Sequence, residues 1–183
     1  MTAAPRRWAA DLLHVWFHQL RPADWWGGSG RVDALLRRRF AGEFAALRHR
    51  PARDFLTDPL TARAAILLFD QIPRNLHRDS ARAFASDPLA RAIARGVIAR
   101  GWDRAAPQRE RAFVYMPLMH SEAIADQRLS LALFAELGGE NFAFARAHHR
   151  MIARFGRFPH RNAALGRRSS AAEKAAVAAG FAW

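Results

Sequence analysis

Apolar residues recur along this sequence at three- and four-residue spacing, and nowhere do they sustain the alternation of a half-buried strand. Trp8, Leu12, Val15 and Trp16 make one such stripe in a first helix expected from Pro5 to Leu20. Val32, Leu35, Leu36, Phe40, Phe44 and Leu47 make another after Ser29. The chain is therefore expected to be all-α. Helices joined by short turns predict stacked antiparallel pairs, in a single domain over residues 1–183.

Glycine and proline mark where these helices begin and end. Pro22, Gly27, Gly28 and Gly30 predict a loop from Arg21 to Gly30. Asp58-Pro59 and Asp87-Pro88 each place a carboxylate cap before a proline, which gives up no hydrogen bond at a first helical position. Those helices are expected to run to Ile72, before Pro73, and to Arg100, before Gly101. Pro107 opens a short helix. A long one is expected from Met119 to Gly138-Gly139 and another from Glu140 to Phe155, stopped by Gly156. A final alanine-rich helix starts at Ser170.

Composition removes several function classes. There is no cysteine, hence no disulfide scaffold, thiolate zinc site, iron–sulfur cluster or cysteine nucleophile. The longest apolar run, Ala64 to Phe69, is far too short to span a bilayer, so a soluble, cytoplasmic protein without a membrane partner is expected. The net charge of +13 invites a nucleic-acid reading. Against it, the arginines are scattered, Lys174 is the lone lysine, and no RNA-recognition signature is present. A basic surface without specific nucleic-acid binding is the expectation.

Winding the expected helices puts polar residues on buried arcs. In the helix from Met119, Arg128, Ser121, Ala125, Ala132 and Glu136 fall on the solvent side. Glu122 and Asp126 fall among Leu129, Leu133 and Leu137, and His120 and Gln127 fall beside Ile124 and Leu131. In the next helix Arg146, Arg150 and Arg154 form an outer stripe. His148 sits in the middle of an inner stripe with Phe144, Met151, Ile152 and Phe155. Asp70 and Gln71 lie on a helix that is apolar nearly all round. Buried carboxylates need partners, because desolvation costs several kcal/mol per ion. Arg74, Arg157, Arg161 and Arg167 are the expected donors, with His120, His148 and His160 beside them.

At these residues the chain resembles a known family. Trp16-Phe17, the run from Asp70 to Asn75, the run from Tyr115 to Gln127, and His148 followed by the run from Arg154 to Arg167 match the bacterial domain-of-unknown-function family numbered 924. The resemblance covers nearly the whole chain and implies a tetratricopeptide-like helical architecture, with no reaction attached. The chain departs from the pattern at Asp79, where a glycine is usual, and at Glu173-Lys174, where an acidic pair is usual.

These residues predict one polar pocket of Asp70, Gln71, Arg74, Asn75, His120, Glu122, Asp126, Gln127, His148, Arg157, His160, Arg161, Asn162 and Arg167. Three functions fit it. Arginines beside amides and aromatic residues suit an anionic small molecule or a peptide terminus, which is the preferred reading. The histidines and acids suit a metal-assisted or acid–base hydrolase, although no H-E-x-x-H, P-loop, G-x-S-x-G or dinucleotide fingerprint is present, and the residues leave the identity of any cofactor or metal open. The same residues also suit a structural or protein-interaction domain with a buried salt-bridge network.

Overall fold

The structure is a computed structural model that describes residues 6–26 and 29–181. Pro5, Gly27 and Gly28 lie outside the described residues. The fold is all-α, with no strand among the described residues. Helices α1 (Arg7–His14), α2 (Pro22–Trp26), α3 (Gly30–Leu47), α4 (Pro59–Ile66), α5 (Ile72–Leu76) and α6 (Asp87–Ala99) are followed by α7 (Gln108–Met119), α8 (Ile124–Leu137), α9 (Gly139–Phe155) and α10 (Ala171–Ala178). They divide into two compact units. The first comprises residues 1–78 and 82–117, the second 79–81 and 118–183. No helix of the described chain is long and apolar enough to cross a membrane.

In the first unit, two helices widen into π-turns. Helix α1 runs into the turn Val15–Gln19, closed by Leu20 N–H on the Val15 carbonyl at 2.9 Å. The extra residue lets Val15, Trp16 and Phe17, three in succession, all face the core. Helix α4 runs into the turn Leu67–Gln71 and then into α5, so the helix expected to end at Ile72 continues past Pro73. Pro73 has no N–H to give the carbonyl one turn back, that of Phe69. The Ser86 hydroxyl takes that carbonyl instead, at 2.7 Å. The core here is aromatic and edge-on. Phe55 meets Phe69 at 5.0 Å and Trp16 meets Phe113 at 5.7 Å, each such pair worth about 0.5–1.5 kcal/mol beyond its burial.

Capping chemistry holds at one of the two Asp-Pro starts. Asp58 accepts the Thr61 N–H at 2.8 Å ahead of Pro59. At the second start Ser86 occupies the cap position and Asp87 is already helical, its carboxylate drawn to Arg74 instead. A two-oxygen charged contact outcompetes one backbone N–H. The expected loop from Arg21 to Gly30 contains α2, whose Trp25 indole donates to the Trp16 carbonyl at 2.8 Å.

In the second unit, α8 and α9 form a hairpin through Gly138 and Gly139, both at left-handed φ (+69° and +60°). Gly156, at φ +68°, stops α9. Met151, Ile152, Phe158 and Ala176 pack with Phe155 and Phe181. Phe144, expected on the inner stripe of α9, is 48% exposed. The helix expected to begin near Met119 begins at Ile124, because residues 120–123 form a turn between α7 and α8. This shift removes His120, Ser121 and Glu122 from the assumed helical phase. Ser121, expected at the surface, is buried, and Ile124, expected inside, is 38% exposed.

Candidate functional site

The predicted site residues fall into both units. Asp70, Gln71, Arg74 and Asn75 belong to the first, and the other ten belong to the second.

In the first unit, Asp70 is fully buried at the end of its π-turn. Gln71 donates to its Oδ2 at 2.6 Å, and Arg74 lies 3.4 Å from Oδ1. Arg74 also grips Asp87 with two nitrogens at 2.9 and 3.0 Å and rests its guanidinium over the Phe84 ring. Burial opposes the Arg74 charge, but Asp70 and Asp87 outweigh it and raise its pKa. Asn75 donates to Asp33 at 2.8 Å, and Arg78 takes the same carboxylate at 2.8 Å through two nitrogens. The Arg78 hydrogen bonds lower the Asp33 pKa despite burial. Arg74 therefore ties α5 to α6, and Asn75 ties α5 to α3. Both were expected in a ligand pocket, and both serve here as ties between helices.

In the second unit, the turn at residues 120–123 organises the polar groups. Gln127, fully buried on α8, spends its amide N–H groups on the carbonyls of Met119 at 2.7 Å and Ser121 at 2.6 Å, which fixes the turn. The Ser121 hydroxyl donates to Asp126 at 2.6 Å and accepts the Ala123 N–H at 3.2 Å. Glu122 points at the segment after α9. Its oxygens accept from Arg167 at 2.8 and 2.9 Å and from the Phe158 N–H at 2.8 Å. Burial works against this charge, but the Arg167 hydrogen bonds prevail and hold the Glu122 pKa below the ordinary range.

A second carboxylate cluster lies nearer the chain end. Glu173 accepts from Arg157 at 2.6 and 2.9 Å, from Asn162 at 3.4 Å and from the Ser170 N–H at 2.7 Å. Ser170 in turn accepts the Glu173 N–H at 3.2 Å, completing a capping box at the start of α10. The Arg157 hydrogen bonds, with the backbone at Ser170, lower the Glu173 pKa to about 2. Glu173 was missed as the partner of Arg157 and Asn162. The spacing Ser170-x-x-Glu173 before an apolar run was the signal available in the sequence.

What remains is a basic, aromatic cluster. His148 on α9 is 4% exposed, and its Nδ1 lies 2.9 Å from the Phe144 carbonyl, so Nδ1–H donates there. Its ring stands 6.1 Å from that of His120 and meets Phe158 edge-on at 5.4 Å. His160 packs on Phe158 at 5.6 Å, and the Arg161 guanidinium lies 4.5 Å above the same ring. Burial, reinforced by His120, Arg161 and His160, lowers the His148 pKa to about 3 against the pull of the Phe144 carbonyl. His148 is thus neutral at physiological pH. No group of three or more His, Asp or Glu donors able to hold a metal occurs among the described residues.

Comparison with known proteins supports the all-helical fold and adds no activity. A solved structure of a protein of unknown function from Agrobacterium tumefaciens is 36% identical and superposes with a TM-score of 0.89, over 94% of this chain and 97% of that one. No match was found among curated proteins. A family model described as bacterial protein of unknown function (DUF924) matches residues 12–180. With the Glu122, Glu173 and His148 clusters all inside the matched span, the chain belongs to the DUF924 family.

Proposed function

We propose that the second unit binds a small anionic molecule bearing a carboxylate or phosphate at the cluster of His120, His148, Phe158, His160 and Arg161. The observation that carries this reading is the gathering of two imidazoles, those of His148 and His160, and the Arg161 guanidinium about the Phe158 ring, with a third imidazole, His120, beside His148. The strongest charge effects on His148 come from His120, Arg161 and His160, and all oppose its protonation. An anion brought among these groups meets a permanent cation at Arg161 and imidazole N–H donors, and it offsets the repulsion among them. Glu122 stands outside this role. Its carboxylate is engaged by Arg167 and the Phe158 backbone, which favours the scaffold reading for that residue.

The test is thermal unfolding of the full chain with inorganic phosphate, citrate and acetate at pH 6 and pH 8 in low chloride. A ligand that binds only the folded state raises the melting temperature by mass action. Stabilisation larger at pH 6 than at pH 8, and lost in a His120→Asn/His160→Asn variant, supports the reading. No response to any of the anions at pH 6, or a full response in that variant, sinks it.

A further inference from the structure

A second pair of histidines lies in the first unit, on an element that the anion cluster does not use. We infer that His14 and His18 form a chelating dyad for a borderline transition-metal ion of the Cu²⁺, Ni²⁺ or Zn²⁺ class. His14 ends α1 and His18 lies in the π-turn that follows, one turn further on. Positions four apart on a helix project to the same side. Both side chains are exposed, and their rings lie face to face with centroids 5.7 Å apart and planes 24° from parallel.

The backbone beneath them explains why they stay outward and together. Val15, Trp16 and Phe17 are 0%, 1% and 6% exposed, so the turn between the histidines is anchored in the core by three successive side chains. That anchoring holds the two imidazoles on one outer face, and binding therefore demands little backbone ordering. Rotation of two exposed rings about their side-chain torsions is enough to aim one nitrogen of each at a shared ion, where imidazole–metal bonds are about 2.0–2.1 Å. Imidazole is the ligand type suited to this class of metal.

Space for the remaining ligands is present. His14 borders an open groove of about 950 Å³ between α1 and α3, shared with Asp11, Arg39 and Glu43. Asp11 is engaged by Arg39, which leaves water as the simplest source of the other metal ligands. With two protein donors and an open remainder, the dyad is an exposed binding site, unlike the closed four-ligand sites that hold structural zinc. The divalent series predicts the order, with Cu²⁺ bound most tightly and Ni²⁺ next among the first-row ions that precede it.

The experiment uses the untagged full chain and Cu²⁺ or Ni²⁺ alone as probe. Titration is followed by quenching of tryptophan fluorescence and by retention on an immobilised Ni²⁺ column, for the wild type, His14→Ala, His18→Ala, the double variant and a His49→Ala control. A chelate predicts that either single change loses nearly all the binding the double change loses, a weakening on the order of a hundredfold. The control should bind like wild type. Because both side chains are exposed, melting temperatures of the variants should match the wild type, which separates loss of metal from loss of fold. Single changes that each remove only half the retention would show two independent one-point ligands and overturn the dyad. A double variant that binds as well as wild type would overturn it outright.

Discussion

Arg167 holds both carboxylate oxygens of Glu122, at 2.8 and 2.9 Å, while the same carboxylate accepts the backbone N–H of Phe158 at 2.8 Å. One acid thereby joins the turn after α7 to the segment after α9. Glu122→Gln keeps the shape but removes the charge, and it should cost about 1.5–3 kcal/mol, the range for hydrogen bonds to a charged group. Arg167→Gln should cost a similar amount. In the double variant the losses should fall well short of additive, as a double-mutant cycle by urea unfolding would show. The response to anions should survive Glu122→Gln. A variant with wild-type stability and no anion response would instead place Glu122 at the ligand.

His148 supplies a pH dependence whose sign follows from its depressed pKa. The folded chain holds this imidazole neutral down to about pH 3, whereas an unfolded histidine takes up its proton near pH 6.5. Between those values the unfolded state binds the extra proton, so stability is full above about pH 6.5 and falls as the solution becomes more acid. The expected slope approaches one proton, about 1.4 kcal/mol per pH unit. His77, also lowered by burial and nearby arginines, adds in the same direction. Urea unfolding between pH 7.5 and 5 should show the slope, and His148→Leu should flatten most of it. That window lies above the titration of the carboxylates, so their loss does not obscure the result.

Asp79 adopts φ +58°, the left-handed region where a side chain is disfavoured. Aspartate tolerates this conformation better than most residues. Asp79→Gly should therefore leave stability unchanged or raise it by up to about 1 kcal/mol, whereas Asp79→Val should lower it by about 1–2 kcal/mol. Thermal unfolding of the two variants side by side checks the sign. A destabilised glycine variant would show that the aspartate side chain contributes more than its backbone costs.

Arg146, Arg150 and Arg154 are exposed along α9, and each lies over an aromatic ring, those of Phe142, Phe181 and Phe155. Such a stripe should attract any polyanion at low salt and release it as salt rises, because phosphate contacts carry the counterion penalty without reading bases. Equilibrium binding to unrelated DNA and RNA sequences should show equal, weak affinity that collapses between 50 and about 200 mM salt. Tight, sequence-selective binding at the higher salt would contradict it.

Helix identity was legible because it depends on neighbours in the chain. The apolar stripes placed α3 and α9 within a residue or two, and Gly138, Gly139 and Gly156 marked stops that the backbone realises with positive φ. The turn at residues 120–123 was not legible. Residues 119–137 wind plausibly as one helix, and nothing local forbids it. The interruption rests on Gln127 holding the Met119 and Ser121 carbonyls and on Glu122 reaching Arg167, 45 positions away. The misplaced surface position of Ser121 followed from that one continuous helix.

The sequence by itself determined an all-helical chain, its principal stops, and the need for every buried acid to find a donor, since these follow from backbone geometry, side-chain periodicity and the cost of desolvation. Which donor each acid takes was decided by the tertiary structure. Arg74 turned to Asp70 and Asp87, Arg157 to Glu173, and Arg167 to Glu122. Many arginines could satisfy a given carboxylate, and only the packing of distant segments selects among them. The same holds for the cluster around Phe158. Its members lie on a turn, a helix and the short 3₁₀ turn that follows that helix, and they meet because burial of that one phenyl ring draws His148, His160 and Arg161 onto its faces and edge.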